Sequence, residues 1–352
     1  MMRQLLAVAV IAMLVAGGCA TGDDSTVEEI TSTTATPTTV PASTTTTAAA
    51  GATSTMETPS TEVVASSVRV VEDLSYRSGE PEVWFLDVYY STDREGGPVV
   101  VFFHGGGIDR SYPLYRGLAE AMAQEGAVVF VPDWEDVAYG DPDELARTYD
   151  GAGCAIPYAL AHATEYGGNP ETLVLAGHSG GAAPASILSV REPTALADCK
   201  VEMAPYDVDR MVLWDGDLML GGQDWDRYGE EIPDLMEAAT LWTWLPDAPR
   251  TQTILMTGDQ ARDQLNRCGV TDPASQFWVR DPDGWFREHL ETMGVLDDGC
   301  LDIGDAADLL SETMAEYGFD VSHVILEESG HVNLSPEGRT QLVNEITVTN
   351  NT

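Results

Sequence analysis

The stretch "VLAGHSGGAAPASIL", residues 174–188, carries the pattern G-x-S-x-G in Gly177, Ser179 and Gly181, after an apolar run and before a helical one. In that setting the serine occupies a sharp strand-to-helix turn, and the residues two before and two after it must be small so that strand and helix can approach. Its hydroxyl then projects at a helix N-terminus as a nucleophile. Such a hydroxyl needs a base, and the base needs an orienting carboxylate. Of the six histidines, His104 and His178 belong to glycine-rich motifs, His162 to a helical pattern, His289 to a long insert and His323 to the last strand. His331 remains, just past that strand in "EESGHVNLSP", where a loop can aim an imidazole back at Ser179. The carboxylate should follow a strand between the two. "TILMTGDQARDQL" offers Asp259 and Asp263, and "LWDGD" offers Asp215.

These residues need a frame that holds strand ends side by side. From about residue 67 the chain alternates β-rich runs with helical patterns, which predicts an α/β fold with a mostly parallel sheet. The runs fall at 67–76 and 83–90, both alternating like edge strands, then at 98–103, 126–132, 171–177, 209–214, 251–256 and 321–328. Helical patterns are clearest at 112–125, 143–166 and 305–317. Two intervals, 217–249 and 264–304, are too long for simple connections and read as a cap insert and a second insert. Both hold tryptophans, Trp225, Trp242 and Trp244 in the first, Trp278 and Trp285 in the second, either packing the insert onto the body or lining an apolar pocket.

The combination of "HGGG" at 104–107, "GHSGG" at 177–181 and a late loop histidine resembles the α/β-hydrolase superfamily, in particular its hormone-sensitive-lipase-like esterase branch. The resemblance spans roughly residues 80–345 and implies an α/β-hydrolase fold, an eight-stranded mostly parallel sheet flanked by helices. It also implies a serine hydrolase that cleaves carboxylic esters of short to medium acyl chain through an acyl-enzyme, with Ser179 as nucleophile and His331 as base. Backbone N–H groups of Gly105, Gly106 and Gly180 would hold the oxyanion, and His104 would brace the loop. In that branch the acid loop reads close to "DPLRDEG"; "DQARDQL" keeps Asp259, Arg262 and Asp263 in matching places, so Asp259 leads, with Asp263 and Asp215 behind it. No metal or organic cofactor is required, and the partner is a small-molecule ester. The chain departs from the branch in lacking an N-terminal helical cap segment and in the length of 264–304. A polysaccharide or xylan deacetylase and a serine peptidase of the same fold use the same parts. A surface-anchored non-catalytic binding protein on this scaffold is the alternative of another class.

Composition bears on where such a domain works. Acidic residues outnumber basic ones 58 to 17, a formal net charge of −41, so a nucleic-acid partner is excluded for want of a basic surface. The first nineteen residues, "MMRQLLAVAVIAMLVAGGC", have the length and pattern of a signal peptide, and "VAGGC" resembles the lipobox of bacterial lipoproteins, with Cys19 as the lipidated residue. Residues 20–66, rich in Thr, Ala, Ser and Pro, read as a disordered tether, leaving 67–347 as the catalytic domain. The expectation is export to the bacterial cell surface with a lipid anchor in the membrane, or secretion. Four further cysteines suit an oxidising compartment. The pairing favoured is Cys154 with Cys199 and Cys268 with Cys300, and no spacing is that of a metal site.

Overall fold

Val99, Val100 and Val101, followed by Phe102 and Phe103, are apolar on both sides of the pleat, as a strand covered on two faces must be. All five are buried. The computed structural model describes residues 67–78, 84–134, 142–191, 198–202, 204–216, 241–264, 267–268, 288, 291 and 300–348. The expected signal peptide and tether, and most of both inserts with His289, lie outside them.

Eight strands form one sheet: β1 (Val68–Ser75), β2 (Phe85–Ser91), β3 (Gly97–Phe103), β4 (Val128–Pro132), β5 (Gly168–His178), β6 (Arg210–Trp214), β7 (Gln252–Gly258) and β8 (Val321–Leu326). Their spatial order is β1-β2-β4-β3-β5-β6-β7-β8. Both pairings of β2, with β1 and with β4, are antiparallel, and the rest of the sheet is parallel. Only β1 of the two opening strands is an edge. β2, expected as a second edge strand, lies inside the sheet because β4 pairs with its other side.

Alternate residues of β3 face two apolar layers. Val100 and Phe102 pack with Tyr115, Leu118 and Met122 of α1 (Pro113–Gln124). The layer is completed by Leu342, Val343 and Ile346 of the C-terminal helix, Pro336–Thr347. Val99, Val101 and Phe103 face a second layer drawn from α2 (Pro142–Gly153), α3 (Ala155–His162), α4 (Ala182–Val190) and α5 (Ile303–Glu316). The C-terminal helix, α6, is stopped at its start by Ser335, whose side chain accepts from Gly338 N, with Pro336 in the first turn, where its missing N–H costs nothing.

The helix expected over 143–166 is broken into α2, α3 and a 3₁₀ turn, Ala163–Tyr166. Pro157 has no N–H to donate to Gly153 O, so the ladder is interrupted at the end of α2 and a new helix starts at Ala155 with Pro157 in its first turn. The break is where Cys154 forms its disulfide with Cys199, as expected. Cys268 and Cys300 stand opposite each other in a separate two-residue antiparallel ladder, Arg267–Cys268 with Cys300–Leu301.

The chain leaves β3 for β4 on one side and returns to β5 on the other. That arrangement opens a crevice beyond the carboxyl ends of β3 and β5, where doubly wound sheets bind ligands.

Candidate active site

Strand register decides what meets at that crevice. Phe103 pairs with Gly177, so "HGGG" and "GHSGG" emerge side by side, and His178 pairs with Trp214, so Asp215 emerges beside Ser179. The elbow itself is steric. A Cβ on Gly177 would stand 2.2 Å from Gly181 O, and one on Gly181 would stand 2.3 Å from both Phe103 O and His104 O. Only glycine fits either place, and the turn forces Ser179 to φ 52°, a left-handed conformation uncommon outside glycine.

Ser179 Oγ lies 3.1 Å from His331 Nε2. On the other side of the ring, Nδ1 lies 3.5 Å from Asp215 Oδ2, the outer limit of a hydrogen bond and a spacing common before substrate binds. Asp215 is fully buried, with φ 44°, and its other oxygen accepts from Gly258 N at 3.0 Å. Burial pushes the Asp215 carboxyl up from the ordinary carboxylate range, and hydrogen bonding and the charge of His331 pull against that shift.

Asp259, the leading expectation for the acid, is not the carboxylate at the imidazole. Its Oδ2 accepts from Glu328 N at 3.0 Å and its Oδ1 from Ser329 N at 2.9 Å, so it clamps the turn that carries His331. That turn includes Glu328 at φ 54°. The rest of the "DQARD" match is structural as well, since Arg262 ion-pairs with Asp302 and Asp305 at the start of α5. Asp263 lies in the helical turn Ala261–Gln264, and its side chain falls outside the described residues.

Gly105 N–H, an expected oxyanion donor, is already committed: it donates to Tyr115 Oη at 2.8 Å. Gly106 and Gly180 remain next to each other, since a Cβ on Gly180 would stand 3.1 Å from Gly106 N. His104 is buried, with Nδ1 2.9 Å from Gly105 O and Nε2 3.4 Å from Asp133. It braces the loop, as expected. Arg110, two turns further on, ties that loop to Asp73, Asp87 and Asp133.

Tyr115 and His178 contribute to the site in ways not expected from the sequence. His178 lies flat on Trp214, with ring centroids 3.8 Å apart, and its two nitrogens meet Tyr115 Oη at 2.9 Å and His331 O at 2.8 Å. Burial, and then the neighbouring His331, hold it well below the usual histidine range. Burial likewise pushes the Tyr115 phenol up to about 12. Among the described residues, His178, Asp215 and His331 are the one group that brings three metal-type ligand atoms within 4.8 Å of one another. Both His178 nitrogens are engaged in hydrogen bonds, which suits a hydrogen-bonded site better than a metal ligand set. Nothing in the sequence marks Tyr115, which arrives from α1 only through tertiary packing.

Residues 100–345 match the family model described as the alpha/beta hydrolase family. No curated protein matches the sequence. Among solved structures, an inhibited esterase B from Lactobacillus rhamnosis superposes with a TM-score of 0.52 at 13% identity, over 80% of this chain and 86% of that one. A truncated carbohydrate esterase from gut microbiota superposes with a TM-score of 0.50 at 14% identity, over 79% of this chain and 95% of that one. At such identities the likeness is one of fold.

Proposed function

The chain belongs to the alpha/beta hydrolase family, and from that premise we propose that it is a serine hydrolase cleaving carboxylic esters through an acyl-enzyme. The observation that carries the reading is the contact between Ser179 Oγ and His331 Nε2 at 3.1 Å, with Asp215 behind the ring. Ser179 attacks the ester carbonyl while His331 takes its proton. Asp215, in the place first expected for Asp259, holds the imidazole with its proton on Nδ1 and stabilises the cation that forms. The oxyanion is held by the N–H groups of Gly106 and Gly180, each worth about 3 to 4 kcal/mol in the transition state. His331 then gives the proton to the departing alkoxide, water attacks the acyl-enzyme, and the acid leaves.

The test is turnover of p-nitrophenyl acetate, butyrate and longer esters, with acetylated xylan alongside because a carbohydrate esterase shares the fold. Ser179→Ala is expected to abolish hydrolysis on every substrate. Turnover surviving in that variant would sink the mechanism, and a wild type inert to all esters would favour a binding role. Export with lipidation at Cys19 is a second part of the proposal, supported by the Cys154–Cys199 disulfide, which suits an oxidising compartment. Loss of membrane association in Cys19→Ser is the expected result; association unchanged would overturn it.

A further inference from the structure

We propose that His178 and Tyr115 are positioning residues that join the oxyanion loop to the loop of the catalytic base through one directed chain of hydrogen bonds. The proposal rests on reading Ser179 and His331 as nucleophile and base. The chain runs from Gly105 N–H to Tyr115 Oη at 2.8 Å, from Tyr115 O–H to His178 Nδ1 at 2.9 Å, and from His178 Nε2–H to His331 C=O at 2.8 Å.

Its direction is fixed at both ends. An amide N–H can only donate, so Gly105 uses a lone pair of the Tyr115 oxygen. A carbonyl can only accept, so His178 must carry its proton on Nε2. A neutral ring then has Nδ1 free to accept, and the single phenolic proton fills it. Moving the ring proton to Nδ1 would set the Nε2 lone pair against the His331 carbonyl oxygen and take away the acceptor of the Tyr115 O–H. Each buried group would lose a partner, at a cost that grows in a low-dielectric interior. Tyr115 and His178 are both buried, and Gly105 is buried with them.

One ring therefore touches every segment of the site. It precedes Ser179 in the chain, stacks on Trp214 directly before Asp215, and holds the main chain of His331. The titratable groups that face it are Tyr115, His331 and, close by, Asp215. A proton gained by His178 would put a second cation beside the imidazole that must itself turn positive during the reaction, so the device works only with a neutral ring. Catalytic geometry is unforgiving, and a base displaced by about 1 Å loses on the order of 100-fold in rate.

The test has a spectroscopic arm and a kinetic arm. In ¹⁵N NMR of the full-length Ser179→Ala protein, His178 is expected to stay neutral with its proton on Nε2 between about pH 5 and pH 8. Titration in that range, or a proton on Nδ1, overturns the proposal whatever the enzyme does. In the otherwise wild-type protein, Tyr115→Phe keeps the ring and cuts the chain, and kcat should fall about 10- to 100-fold with KM little changed. An unchanged kcat overturns it. His178→Gln, whose side-chain N–H₂ reaches the position of Nε2, should retain more kcat than His178→Asn, whose shorter amide reaches only Nδ1. Equal or reversed values overturn the proposal. A wild type that hydrolyses no ester defeats the reading of function, and the ring tautomer then decides the relay by itself.

Discussion

Burial holds the Asp215 carboxyl above its ordinary range, and the sign of that shift separates chemistry from stability. A folded state that binds a proton more tightly than the unfolded chain loses stability as pH rises from the unfolded value through the raised folded one. Near neutral pH the buried anion is thus a cost, offset in part by His331 and by Gly258 N–H. Asp215→Asn should melt at least as high as the wild type at about pH 7, yet lose about 10⁴-fold in kcat because the imidazole tautomer is no longer held. A fall of several degrees in Tm, or near-normal turnover, would contradict this. Asp259→Asn should behave in the opposite way, losing about 1–3 kcal/mol with the weakened clamp on Glu328 and Ser329 and retaining much more activity. Thermal melts and kinetics on both variants check the pair. The pair Ser179 and His331, which the structure brings to 3.1 Å, was legible in the sequence because local context singles each out, a turn for Ser179 and a loop beyond the last strand for His331. The carboxylate beside His331 was not, since three aspartates follow strand ends and only the pairing of β6 with β5 brings Asp215 to the imidazole.

At the scale of elements, apolar runs such as "PVVVFF" announced their strands, because a strand covered on both faces has no polar positions to confuse the pattern. Helix boundaries between α2 and α3 were less legible, because Pro157 and the Cys154 junction interrupt an otherwise continuous helical pattern. That junction is fastened to a distant segment. Cys199 lies 45 residues on, and Arg77, bridged to Cys199 through the backbone, also pairs with Asp198. Loop-closure entropy for that separation puts the stabilisation at about 4 kcal/mol. Cys154→Ala with Cys199→Ala should lower the urea midpoint accordingly, while kcat of the folded fraction changes little, since neither cysteine touches Ser179 or His331. An unchanged midpoint would show that the cross-link restrains nothing in the unfolded chain.

Over the whole molecule, 58 acidic against 17 basic residues make self-repulsion a general term in stability. Screening shortens the Debye length from roughly 30 Å at 0.01 M salt to 3 Å at 1 M, and Tm should rise across that interval. A flat or falling Tm would mean that local ion pairs such as those of Arg110 outweigh the net charge. Left-handed backbones are distributed less evenly. Of the four non-glycine residues with positive φ among the described residues, Ser179, Asp215 and Glu328 all lie on the rim beyond the carboxyl ends of β5, β6 and β8. Each stores on the order of 1–3 kcal/mol that the surrounding contacts must hold down. Heat should release that rim first, so turnover should disappear below the temperature at which circular dichroism records loss of the sheet. The sheet would then outlast the proposed active site, and a sample cooled from between the two temperatures should recover its turnover.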